Sequence, residues 1–131
     1  MPQAQNIIAT KTTDGEVDLF DYFKHPKTPS NDEVKPDLRL LGHSQEGYGL
    51  AWNPIKKGLL LSGSDDCRVC VWDISATNQN VLAQEPVLNF EAHSSIVEDV
   101  VWNNFDEFIF SSVGDDKKLK IWDIRDPKRP T

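Results

Sequence analysis

Apolar and polar residues alternate along this chain in short stretches. Val17 and Leu19, Val69 and Val71, and Leu119 and Ile121 each stand two apart, the spacing of one face of a β-strand. An aromatic residue closes each of these stretches on the other face: Phe20, Trp72 and Trp122. Gly15, Asp65-Asp66 and Asp115-Asp116 precede them as turn residues. No segment has helical periodicity. The pattern predicts ten strands, at 5–11, 16–21, 37–41, 47–53, 58–63, 68–73, 86–90, 97–103, 107–112 and 118–123. The connections from Tyr22 to Pro36 and from Ser75 to Pro86 are polar, carry Pro and Asn, and read as surface loops.

The pattern repeats. Gly42-His43 returns 50 residues later as Ala92-His93, Trp52-Asn53 as Trp102-Asn103, Asp65-Asp66 as Asp115-Asp116, and Trp72-Asp73-Ile74 as Trp122-Asp123-Ile124. A third, partial copy aligns at a shift of 52, with Thr10 on Ser62, Asp14 on Asp66 and Phe20-Asp21 on Trp72-Asp73. It lacks a first strand and a Gly-His, so the chain is expected to open in mid-repeat and to stop before a further strand. Gly-His, strand, Asp, strand, Trp-Asp resembles the WD repeat, about 40–45 residues and one four-stranded blade; the Ser75–Pro86 connection accounts for the extra length. The expected fold is all-β: a partial WD-repeat β-propeller of about two and a half four-stranded antiparallel blades. The boundaries read as 1–41 (end of one blade and a linker), 42–91 (a full repeat) and 92–131 (an incomplete repeat).

Composition narrows the function classes. A hydrophobic content of 38% with 27% charged residues fits a folded globular chain. No apolar run approaches the roughly 18 residues of a membrane span, and the first residues do not resemble a signal peptide. A formal net charge of −7 disfavours direct nucleic-acid binding and suits a basic partner. With two cysteines, a disulfide scaffold is not expected.

In the repeat family, His, Ser or Thr, Asp and Trp form one hydrogen-bonded group per blade. The matching positions are His43, Ser62, Asp66 and Trp72, then His93, Ser112, Asp116 and Trp122. Such half-buried polar groups need partners, and mutual ones fix strand register. Phe20 has no N–H, so the partial repeat should lack the group. His, Ser and Asp also compose a hydrolase triad. Two identical triads a repeat apart, with no Gly-x-Ser-x-Gly turn, favour structure over catalysis, and the chain is read as a non-enzyme. Cys67 and Cys70 form a CxxC string, but zinc needs a second pair, and both are read as strand residues facing opposite ways. The Asp pairs could suggest a metal, but one Asp of each pair belongs to the blade group. No metal or cofactor is expected.

Seven strings are idiosyncratic for WD repeats: Met1-Pro2-Gln3, Ile8-Ala9-Thr10-Lys11-Thr12, Phe20-Asp21-Tyr22, Lys24-His25-Pro26, Pro36-Asp37-Leu38-Arg39-Leu40, Glu46-Gly47-Tyr48-Gly49-Leu50 and Val97-Glu98-Asp99-Val100. From Met1 to about Arg125 the chain resembles the histone-binding, retinoblastoma-binding-protein-like family, in particular its plant MSI-type members. Ala92 in place of Gly, and Asn103-Asn104 in place of a common His, depart from the family without touching the residues below.

The resemblance implies a seven-bladed ring and a nuclear, non-catalytic, histone-binding subunit of chromatin assembly, deacetylase or Polycomb-type complexes, active in transcription regulation. A surface for histone four would need an N-terminal helix and a distant loop outside this stretch. A second surface, for the histone three tail, maps to Glu46, Tyr48 and Glu98, with Asp115 as a further candidate. A separate string, Trp122-Asp123-Ile124-Arg125, resembles the motif by which WD-repeat proteins dock on cullin-type ubiquitin ligase adaptors; Trp122, Asp123 and Arg125 are its carriers, and Ser75 stands in Arg125's place one repeat earlier. The alternatives are thus a ligase substrate receptor or a truncated product without function. A chain with missing blades is expected to expose strand edges and apolar faces at both ends.

Overall fold

The computed structural model describes residues 1–25, 35–78 and 80–128. They form eleven strands: β1 Ile7–Lys11, β2 Val17–Asp21, β3 Leu38–Leu40, β4 Leu50–Trp52, β5 Leu59–Gly63, β6 Arg68–Asp73, β7 Ala83–Gln84, β8 Leu88–Glu91, β9 Val97–Trp102, β10 Ile109–Gly114 and β11 Lys118–Asp123. They build three sheets, ordered β1-β2-β3-β7, β4-β5-β6-β8 and β11-β10-β9. The described residues are all-β, with one 3₁₀ turn at Tyr22–Lys24 capped by the Asp21 carboxylate.

Three hairpins carry the repeat. Ile8 pairs with Phe20, Leu60 with Trp72, and Phe110 with Trp122. Their turns share a left-handed residue at one repeat position: Gly15 (φ 89°), Cys67 (φ 68°) and Lys117 (φ 63°). Cys67 therefore lies in a turn ahead of β6, and the expectation that both cysteines sit on one strand is corrected. A turn has no alternation to reveal this. Cys70, inside β6, is fully buried, and both thiols are free.

The second sheet is buried on both faces because sheets flank it. Leu60, Cys70 and Trp72 pack toward the first sheet against Val17, Leu19, Leu38 and Leu40. Leu59, Leu61, Val69 and Val71 pack toward the third, against Val97, Val100, Trp102, Phe110 and Trp122. Trp122 stacks on Phe110 at 6.1 Å and lies 5.2 Å from Phe90. Each fully buried aliphatic or aromatic side chain stabilises this packing by about 1.5–3 kcal/mol. Trp102 Nε1 donates across the second junction to Ala51 O (3.0 Å), and Asn53 Nδ2 to Glu107 O (2.9 Å). On the outer face of the third sheet, Val101 and Leu119 stand at the surface.

One element was not expected. The Ser75–Pro86 connection is not wholly a loop: its residues 83–84 form β7, which runs parallel to β3, pairing Arg39 with Ala83 and Leu40 with Gln84. Arg39 N donates to Leu82 O (3.0 Å) and Leu41 N to Gln84 O (2.9 Å). The cause is the edge of β3, whose N–H groups need acceptors; a two-residue strand is too short to leave a hydrophobic pattern. The first sheet is thus not purely antiparallel. The segment 26–34 of the other long connection lies outside the described residues.

Candidate functional site

In the third sheet the group of four closes. Trp122 Nε1 donates to Ser112 Oγ (2.9 Å), Ser112 Oγ lies 2.7 Å from His93 Nε2, and His93 Nδ1 lies 2.9 Å from Asp116 Oδ1. One direction satisfies every atom: indole to hydroxyl, hydroxyl to Nε2, Nδ1–H to carboxylate. Ser94 N and Lys118 N also donate to Asp116. Burial raises the Asp116 carboxyl, but the bonds from His93, Ser94 and Lys118 outweigh it and hold it at about 2.

In the second sheet the group is different. His43 Nδ1 lies 3.0 Å from Asp66 Oδ2 and His43 Nε2 3.0 Å from Ser62 Oγ, but Trp72 Nε1 donates to Leu41 O (3.0 Å). Trp72 is therefore not a member of the expected four, a correction. The donor to Ser62 Oγ is Lys11, whose Nζ reaches across from the first sheet (2.9 Å) and also donates to Gly63 O. The repeat explains this. At the shift of 52, Lys11 aligns with Gly63, which has no side chain to extend toward Ser112. A Cβ on Gly63 would come within 2.6 Å of Val97, so packing of the third sheet excludes one.

Above these groups lies an acidic rim. Glu98 stands where the β9–β10 register slips: Asp99 pairs with Val113 and Val97 with Gly114, so Glu98 has no partner across the ladder. A bulge re-aims its side chain. Asp115 raises the Glu98 carboxyl by its charge, ahead of desolvation, a hydrogen bond that the protonated Glu98 carboxyl donates to Asp115, and the charge of Asp65. Glu98, Asp115 and Asp65 thus share one field. Asp65 N donates to Glu46 O (2.9 Å), as Asp115 N donates to Ile96 O (3.0 Å) one repeat on. Tyr48, at the place of Glu98 in its own repeat, is 82% exposed. It lines a cleft between the first two sheets with Thr10, Lys11, Thr12, Glu46 and Gly47. The structure brings Glu98 and Asp115 together and sets Glu46 and Tyr48 on the neighbouring blade. Sequence reasoning passed over two residues here: Asp65, which the 50-residue period pairs with Asp115, and Lys11, visible only in a quoted string.

At the end of β11, Trp122 is buried, and Arg125 folds back on Asp123 through Nε (2.9 Å) and a second guanidinium nitrogen (2.5 Å). Its guanidinium also lies 4.5 Å over the Phe108 ring. The hydrogen bonds from Arg125 hold Asp123 at about 2. In the earlier repeat, Ser75 N and Oγ cap Asp73 in the same way. Among the described residues no cluster of three or more His, Cys, Asp or Glu is arranged to hold a metal ion, and no helix is long and apolar enough to cross a membrane.

Repeated Trp-Asp hairpins, stacked sheets and a His–Ser–Asp group within each full repeat define a protein of the WD-repeat β-propeller class. The WD domain, G-beta repeat model matches residues 35–73 and 84–123, and the chain belongs to that family. It is also 52% identical over 103 residues to the WD-40 repeat-containing protein MSI3 of Arabidopsis thaliana, covering 76% of this chain and 23% of MSI3. The chain is thus an MSI-type WD-repeat sequence that spans under a quarter of the length of this relative. Family membership supports a protein-interaction scaffold.

Proposed function

We propose that the rim formed by Glu46, Tyr48, Glu98 and Asp115, with Asp65, binds the basic tail of histone three, and that the chain serves as a non-catalytic, nuclear histone-binding scaffold in chromatin assembly or modification. The observation that carries this reading is the shared field of Glu98, Asp115 and Asp65 at a bulge beside an exposed tyrosine. Carboxylates held this close resist full ionisation together, and a cationic side chain relieves them. Tyr48 adds a flat amphipathic surface for the tail's backbone and methylenes. The similarity to MSI3 gives the same direction without naming a ligand.

Titration of a synthetic histone three tail peptide tests the reading. Binding should weaken with salt, and Glu98→Gln should weaken it by about five- to tenfold with the near-ultraviolet circular dichroism unchanged, a loss of roughly 1 kcal/mol. Equal binding by wild type and Glu98→Gln in a folded chain sinks the assignment. The rest of the rim then has no claim on the tail.

A further inference from the structure

We propose that Lys11 is the positioning residue of the acidic rim: its ammonium, extended from the first sheet, fastens the loop that carries Glu46 and Tyr48. The histone part of this claim rests on the reading above, while its structural part does not.

Lys11 Nζ donates to Ser62 Oγ and to Gly63 O, so it holds the end of β5 where the rim begins. From there the loop is bound tightly. Ser64 Oγ lies 2.7 Å from both Gln45 O and Glu46 O, Gly63 N donates to Gly49 O (3.0 Å), and Asp65 N donates to Glu46 O. Gly47 packs so closely that an added Cβ would meet Lys11 Nζ at 3.0 Å and Ser64 Cα at 2.6 Å. Lys11 and the two residues at the crest of the loop, Glu46 and Tyr48, line one cleft.

The position is costly. Burial brings the Lys11 ammonium down to about 8, against the opposing pull of Asp66, Cys70 and Asp65. A lysine kept in so unfavourable a place needs a compensating task. The third sheet shows that the blade itself does not require it. There Trp122 supplies the donor to Ser112 from within the blade, and Lys120 of β11 donates instead to Ala92 O, beyond the end of β8. What Lys11 adds is a tether from one blade to the rim loop of the next.

The test measures amide exchange and peptide binding in the full chain for wild type, Lys11→Met and Lys11→Arg. The amides of Gly63, Ser64 and Asp65 report the loop, and those of β11 serve as an internal reference. In Lys11→Met the loop amides should exchange about tenfold faster while β11 is unchanged, and affinity for the histone three tail peptide should fall about threefold or more. Lys11→Arg, which keeps charge and donors, should restore both. Uniform acceleration across loop and β11, or no change in Lys11→Met, overturns the proposal. If Lys11→Met does not fold, Lys11→Gln is read by the same local-against-reference comparison. Should wild type bind no peptide while Lys11→Met still loosens the loop alone, the tether stands and the histone reading falls.

Discussion

The second and third sheets are built from nearly the same parts and wire them differently. Both bury a His whose two ring nitrogens are shared between Ser and Asp. In the third sheet the set is self-contained, because Trp122 completes it from within the blade. In the second sheet Trp72 turns to Leu41 O and a neighbour's lysine completes the set. A repeated motif therefore guarantees that a polar group is satisfied, and leaves open which residue satisfies it. Lys11, which stands where the next repeat has Gly63, couples the second blade to its neighbour, while the third closes on itself.

Four predictions sharpen that comparison. The largest effect is expected for His93→Ala, which takes one partner from both Ser112 and Asp116 and leaves a cavity between them; a loss of about 3 kcal/mol in urea unfolding is predicted, and His43→Ala should match it. Next, Ser112→Ala should cost about 2 kcal/mol, since it orphans both a buried indole N–H and His93 Nε2, whereas Ser62→Ala should cost about half that, because the Lys11 ammonium retains Gly63 O. Equal costs would mean that the wiring difference has no energetic weight. Third, acid should weaken both sets. Asp66 and Asp116 are both held below their ordinary 3.8 in the fold, so their contribution is complete above that value and is lost as pH falls below it, for Asp116 through about 2; urea midpoints at pH 5, 3 and 2 should fall in that order. The smallest effect should come from Cys67→Gly and Lys117→Gly, which remove side chains from left-handed turns and should each raise stability by up to about 1 kcal/mol.

The hairpins were legible because their physics is local. Alternation placed every strand from β1 to β6 and from β8 to β11 within a few residues, and the Trp-Asp anchors gave the repeat. What was not legible depended on distant partners. Trp72 looks identical to Trp122 in its own repeat, and their different acceptors, Leu41 O and Ser112 Oγ, are set by what packs around them. β7 has two residues and no pattern, and exists because the β3 edge is nearby. The rim residues Glu46, Tyr48, Glu98 and Asp115 came from resemblance to a family. Their meeting with Asp65 needed the bulge at Glu98, which the spacing of apolar residues does not record.

The return of β7 to the first sheet has a consequence for how the chain comes apart. In a simple stack each unit touches its sequence neighbours, and the ends can fray one unit at a time. Here the segment after β6 goes back and pairs with β3, spanning Arg39 to Ala83. Melting the second sheet would pull this strand from the first, and melting the first would free the connection that leads into β8. The order of loss is then shared between the two sheets. A stitch of two residues thus couples the loss of the second sheet to that of the first.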